Sequence, residues 1–244
     1  MMLPDLTFAE RYRRLHDRLG AADPDPEVIW AMPMVLYLPK ADPPGRTEVL
    51  EAAARSAILL CLDERSGGDG PWAAALDTWC GISIRKIARR ARSGAHWQAA
   101  QSVPGITAES GGAVVRAIVP SPITDVDKRI SRLQIEGTDL PSDEPGPPGD
   151  EVAARLWINP HLSMTVGKAA AQAGHASMLA VRLFTEDQAG QWFSEGCALS
   201  VRTATDEQWA ELLSRESSGE TVAVRDAGFT EIEPGSITVI AERG

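Results

Sequence analysis

The sequence predicts an α/β protein built as two tandem halves, and three observations carry that prediction. Strand-like apolar runs alternate with helix-like runs along the whole chain. A stretch rich in proline, glycine and acid, TDLPSDEPGPPGDEV at 138–152, divides it. Local details then recur on both sides of that divide: Trp79 precedes ISIRK at 82–86 as Trp192 precedes LSVRT at 199–203. Trp97 and Trp209 fall in the next helix of each half, and AVVRAIV at 113–119 is matched by SITVIAE at 236–242.

The elements follow in order. A helical arm in residues 1–25 opens with the capping-box pattern Thr7-Phe8-Ala9-Glu10, carries Phe8, Tyr12, Leu15 and Leu19 at helical spacing, and stops at Gly20 before DPDP at 23–26. The first half, 26–137, starts with a strand at 32–39 (MPMVLYLP). A helix at 47–63 follows, with Val49, Leu50, Ala53, Ala57 and Leu60 as its buried stripe. A Gly-rich turn at 66–71, a short helix ending at Trp79, a strand at 82–86, a helix at 93–101, a buried strand at 112–120 and a closing helix at 123–133 complete it. Residues 138–152 hold almost no apolar side chains and are expected to form an extended linker that packs no core. The second half, 153–244, reads as strand 154–158, a long Ala-rich helix 165–183, helix 188–196, strand 198–202, helix 206–215, strand 221–225 and strand 237–241.

Composition narrows the class. The 244 residues have a mean hydropathy of −0.15 with no run of membrane-span length, and the acid-bearing start lacks the pattern of a signal peptide. Three cysteines outside any CxxC spacing fit a reduced, cytoplasmic protein. The net charge of −10 argues against a dedicated nucleic-acid binder, but it is unevenly spread. Residues 1–150 hold 17 basic and 21 acidic side chains against 7 and 13 in 151–244, and Arg85, Lys86, Arg89, Arg90 and Arg92 crowd five cations into eight residues. These are either a solvated face or a phosphate-contacting patch.

Chemistry concentrates in the second half. Ser163-Met164-Thr165-Val166-Gly167-Lys168 follows a strand and opens a helix, which sets an ammonium beside the unpaired N–H groups of a helix N-terminus. It is not a nucleotide-binding Walker loop, since the earlier glycine and the Ser/Thr after the lysine are missing. Lys168, Gln172 and His175 fall at i, i+4 and i+7 on one helix face among alanines and Gly174. His175 taken alone is more often a satisfied core histidine. Farther on, strand 221–225 delivers Asp226 to its carboxyl end, where Asp226, Thr230 and Thr238 could converge on one water or ester; an Asx turn at Asp226-Ala227-Gly228 is the plainer alternative.

MTVGKAAAQAGHA at 164–176, joined to VRDAGFTEIEPGSITVIA at 224–241, resembles the type 2 (archaeal and eukaryotic-type) peptidyl-tRNA hydrolase family over residues 153–244. The resemblance implies an α/β/α sandwich on a four-stranded mixed sheet, so that the chain as a whole is expected to hold two such sandwiches. It implies hydrolysis, without metal or other cofactor, of the ester joining a peptide or N-blocked amino acid to the tRNA 3′ end. The family's active-site lysine falls on Lys168, its aspartate on Asp226 and its threonines on Thr230 and Thr238. Gly167, Gln172, His175, Arg225 and Gly228 are then expected to contact substrate. Val166 stands where the family usually has a second lysine, and Glu231 where it usually has glutamine.

The first half reads as a degenerate, non-catalytic copy. DVDKRISRLQIEG at 125–137 resembles the family's closing segment, yet PGRTE at 44–48 replaces the Gly-Lys motif and AESGG at 108–112 replaces DAGxT. The expectation is an intramolecular pseudo-dimer whose Arg85–Arg92 cluster supplies phosphate contacts, with a homo-oligomer also compatible. The alternatives are a silent RNA- or protein-binding module that retains the fold, and a hydrolase of D-aminoacyl-tRNA or another small acyl ester.

Overall fold

The alternating runs form two mixed sheets in the computed structural model, which describes residues 6–17, 19, 27–135, 139–148, 152–226 and 232–244. The first half contains β1 (Trp30–Tyr37), α2 (Arg46–Leu62), α3 (Ala73–Cys80), β2 (Lys86–Ala91), α4 (Gly94–Gln101), β3 (Gly105–Ser110), β4 (Ala113–Ile118), the two-residue β5 (Ser121–Pro122) and α5 (Lys128–Ser131), preceded by α1 (Leu6–Asp17). The second half contains β6 (Ala154–Ile158), α6 (Val166–Leu179), α7 (Glu186–Ser194), β7 (Leu199–Thr203), α8 (Asp206–Ser214), β8 (Thr221–Arg225) and β9 (Ile237–Arg243).

The two sheets share one plan. The first runs β2-β1-β4-β3, with β5 added on β1, and the second runs β7-β6-β9-β8. In each, the opening strand pairs parallel with the next one and antiparallel with the last, and the last closes an antiparallel hairpin with its predecessor. The twin tryptophans occupy matching places. Trp79 and Trp192 are fully or almost fully buried, and their indole N–H groups donate to Arg85 O at 3.0 Å and Ala198 O at 2.9 Å, closing the turn into β2 and β7.

Each half has a smaller hydrophobic cluster of its own, and the main core takes side chains from both, among them Met34, Leu36, Ile58, Leu156, Val181 and Trp192. Its centre is the contact of α2 with α6. The stripe expected on α2 is buried, and so are Ala52, Ala54, Ser56, Ile58, Cys61 and Leu62, because one side of the helix covers β3 and β4 while another meets α6. Small residues let the two backbones approach, and Ser177 Oγ donates to Ala54 O at 2.8 Å across the contact. The exchange is reciprocal: α6 also reaches β2 of the first sheet, and α2 reaches β7 of the second. Glu51 of α2 accepts hydrogen bonds from Val201 N and Arg202 Nη1 at 3.2 and 2.7 Å. The arm α1 bridges both halves, with Arg14 on Ser66 O and Asp77 and Tyr12 Oη donating to Phe184 O.

Four expectations need correction. Thr7 lies inside α1, so it is not the cap of that helix; Gly20 and 23–26 fall outside the described residues. The strand expected at 82–86 begins at Lys86; residues 82–85 form the connection from α3, and the Arg85 carbonyl accepts from both the Trp79 indole and Met32 N of β1. The closing helix at 123–133 shrinks to the four residues of α5, with Asp127 capping it through Arg129 N. The linker does pack: Leu140 is buried, and Asp143 accepts from Thr47 N at 2.8 Å and Thr47 Oγ1 at 2.6 Å at the start of α2. Among the described residues no helix is long and apolar enough to cross a membrane.

The α2–α6 contact leaves no room for larger side chains. Ala54→Leu is expected to lower stability by about 1–3 kcal/mol through overpacking, read as a lower midpoint in urea unfolding. An unchanged midpoint would show that the two helices are not in close contact at Ala54.

Candidate active site

The first turn of α6 sets the site. Thr165 caps the helix, its Oγ1 accepting from Lys168 N at 3.3 Å, and the cap fixes the direction in which Lys168 leaves the helix. Asp226 follows the last residue of β8; its backbone N–H donates to Ser236 O at 2.9 Å and its carbonyl accepts from Gly235 N at 2.7 Å. The carboxylate therefore turns inward toward α6, where Lys168 Nζ forms an ion pair with Asp226 Oδ2. The two side chains are only 11% and 4% exposed, so the pair is largely shielded from solvent screening.

Behind the pair lies a fixed relay. Gln172, one turn along α6, donates from Nε2 to Asp226 Oδ2 at 2.8 Å, and its Oε1 accepts from Thr238 Oγ1 of β9 at 2.6 Å. The hydroxyl can only donate in that bond, because the amide oxygen only accepts. The Gln172 amide is thus held in the one orientation that presents N–H groups to Asp226. Thr238 is completely buried and stands behind Gln172 rather than beside Asp226, so the expected convergence of Asp226 and Thr238 on one ligand runs through the amide.

The remaining residues separate. Gly167 lies against the first half: a Cβ there would sit 3.5 Å from the Ala88 Cβ. Arg225 points outward and is held by Glu216 at 2.7 Å through both terminal nitrogens. Thr230, Gly228 and Glu231 lie outside the described residues. Val166 is fully buried in the shared core.

His175 meets the first half, where the sequence offered no signal for its partner. Lys86 Nζ lies 3.1 Å from His175 Nδ1, donates to Met178 Sδ at 3.0 Å, and sits 4.9 Å from the centre of the Trp79 ring. Gly174 makes the space, since a Cβ on it would stand 3.1 Å from Lys86 Cδ and 3.3 Å from Met34 Cε. Burial pushes the Lys86 ammonium down to about 7, against a small opposing influence from Cys61 and Cys80. Burial, with the charges of Lys86 and Lys168, holds the His175 imidazole well below its usual value.

This placement corrects the proposed cationic patch. Strand β2 alternates, so Lys86 and Arg90 face the interior side with Ala88 and are buried, while Arg89 donates to Ser131 O and Leu133 O. Arg90 donates to Gln134 Oε1, and Arg85 is half-buried. Of the five cations only Arg92 is exposed.

The corresponding place in the first half carries opposite chemistry. Counting three residues from each helix cap gives Lys168 after Thr165 and Glu48 after Gly45. Glu48 accepts from Gly112 N at 3.1 Å in the β3–β4 turn, which lies where Asp226 lies in the second half. Gly111 has φ +53°, and a Cβ on it would fall 2.0 Å from Glu48 Oε1, so the turn and the glutamate require glycine.

Residues 153–243 match the family model described as peptidyl-tRNA hydrolase PTH2. Proteins named peptidyl-tRNA hydrolase from Haloquadratum walsbyi, Pyrobaculum aerophilum and Methanopyrus kandleri are 39%, 36% and 38% identical over 83, 98 and 90 residues. Those matches span 33%, 37% and 35% of this chain and 74%, 82% and 78% of the relatives.

The buried Lys86 makes a prediction about pH. Its proton is held more weakly in the folded chain than in the unfolded one, so stability attributable to it rises from about pH 7 to the free-lysine value of about 10.4. Lys86→Met is expected to be more stable than wild type at pH 7, with a flatter rise between pH 7 and 9.5 in urea titrations. A variant destabilised equally at both pH values would refute the buried-ammonium account.

Proposed function

The chain belongs through residues 153–243 to the peptidyl-tRNA hydrolase PTH2 family, and from that premise we propose that it hydrolyses the ester linking a peptide or N-blocked amino acid to the tRNA 3′ end. The observation that carries this reading is the Lys168–Asp226 pair at the start of α6, fixed from behind by Gln172 and Thr238.

The chemistry follows from where the charges stand. Asp226 takes a proton from a water as that water's oxygen bonds to the ester carbonyl carbon. The carbonyl oxygen becomes an oxyanion, stabilised by the Lys168 ammonium and by the positive end of the α6 dipole. Collapse breaks the bond to the ribose oxygen, which recovers the proton from Asp226, leaving deacylated tRNA and a carboxylic acid that loses its proton to solvent. Gln172 keeps the reactive carboxylate oxygen aimed, and Thr238 keeps Gln172 aimed; both act by positioning. Thr230, one turn of sequence beyond Asp226, is assigned a hydroxyl contact with the water from its place in the family motif.

The first half takes no part in the bond-breaking steps in this reading, because Glu48 puts a carboxylate where the second half has its ammonium. The identical strand order and the reciprocal α2–α6 packing support a duplicated pair acting as an intramolecular pseudo-dimer. A substrate drawn from translation supports a cytoplasmic location. The rival reading, a silent binding module, draws on the buried Val166, which leaves the helix start with one cation where the family usually has two.

Release of a labelled N-blocked amino acid from tRNA tests the reading. Asp226→Asn and Lys168→Ala should each lower kcat by about 10²–10³. Thr238→Val, which removes one buried hydrogen bond worth about 1 kcal/mol, should cost about fivefold. Wild-type turnover that survives in Asp226→Asn would remove Asp226 from its role, and no release by the wild type would favour the silent module.

A further inference from the structure

We propose that the first half carries a groove for the sugar–phosphate backbone of RNA, lined by Lys40, Arg90 and Arg92, that leads onto the start of α6. The hydrolase reading enters only in naming RNA as the polyanion.

The register between β2 and α6 places the groove. Gly174 lies against Lys86 and Gly167 against Ala88, so helix and strand run in opposite directions. Two residues farther along the same face of β2, Arg90 therefore passes the beginning of α6, and exposed Arg92 lies beyond it. β1 and β2 are parallel, so Lys40, just past β1, opens on the same side as the two arginines. Carboxyl ends of parallel strands are where α/β sheets hold ligands. Together with Leu38 and Leu140 these cations line a cavity of about 360 Å³, within the size range of small-ligand sites.

Arg46 joins this cavity to the active site. It donates to Leu140 O at 3.2 Å in the cavity wall and to Met164 O at 2.6 Å, next to the Thr165 cap of α6. Its Nη1 also holds Asp139, the carboxylate that lines the cavity, at 3.3 Å. The groove thus keeps its positive character while the chain as a whole carries −10. A polyanion repelled by most of the surface is steered to such a local concentration of charge. The contrast with the opening at the start of α2 sharpens the choice. That cavity, of about 350 Å³, is walled by Glu48, Glu51, Asp143 and Glu144 with one cation, Arg202, itself paired with Glu51, so its net charge is negative and disfavours phosphate.

Lys40 and Arg92 are both exposed, so Lys40→Glu/Arg92→Glu tests the groove without disturbing the core, and Lys40→Gln/Arg92→Gln gives a milder version. Two quantities are measured. The first is binding of deacylated tRNA by fluorescence anisotropy at about 50 and about 200 mM salt. The second is the ratio of kcat/KM for N-blocked aminoacyl-tRNA to that for the same acyl group on the terminal adenosine alone. The reversed variant should bind tRNA at least tenfold more weakly at low salt. The slope of log Kd against log salt should become shallower by about 1–2, and the preference for whole tRNA should fall by a similar factor. The neutral variant should fall between. Unchanged affinity and slope in both variants would overturn the proposal, as would a preference that stays constant. If wild type releases neither acyl group, the hydrolase reading fails, and the anisotropy measurement still decides the groove.

Discussion

The contact between α2 and α6 is the constraint on which the rest of the molecule depends. Each helix lies on its own sheet, and each buries a second face in the other half. Neither helix has a polar side wide enough to meet water, so neither half is a finished globule in the usual sense. Alanine, serine and glycine at the seam let the backbones come close, and closeness is what brings Gly167 onto Ala88 and Gly174 onto Lys86. The direction of α6, and with it the position of Lys168 and Gln172, is therefore set by the first half as much as by the sheet that α6 covers.

On this common frame the two halves reach opposite electrostatic outcomes. At the third residue after the helix cap one half has lysine and the other glutamate. The lysine meets a carboxylate delivered from the end of β8, whereas the glutamate accepts a backbone N–H in a turn tight enough to need Gly111. The start of α2 is occupied by the chain itself, through Asp143, and ringed by further acids. One backbone plan thus supports a helix start whose lysine is paired with a carboxylate from the sheet and another whose glutamate closes a turn.

What the sequence made legible follows from how local each signal is. The bounds of β6 and β8 rest on short-range pattern, and they stand as read. So does the sharing of one face by Lys168 and Gln172, which needs only the helical period. Thr165, read as the first helical residue, is instead the cap of α6. Lys86 misled for one reason. A lysine in an alternating run reads as an outward residue, yet a cavity made by Gly174 on a helix far away in sequence takes it inside. The density of charge over 85–92 likewise gave no hint of direction, which the pleat then divided between the two faces of β2. The order Thr238 to Gln172 to Asp226 joins β9, α6 and the end of β8, and no spacing within one segment encodes it. The connector at 139–148 was read from composition, which shows that it cannot form a core but not that Leu140 and Asp143 can dock on one.

That docked connector has a consequence for how the halves could have come to differ. Two separate copies of a domain meet only as often as their concentration allows, and dilution parts them. Joined by a chain short enough to lie along the seam, they meet at an effective concentration in the millimolar range whatever the amount of protein present. Self-association then no longer has to be encoded symmetrically, because a surface on one half need fit only its one permanent neighbour. A buried lysine can face a histidine with no mirror-image pair on the other side, and one helix start can carry a glutamate where its counterpart carries a lysine. The tether releases the two surfaces from the demand that each be complementary to itself.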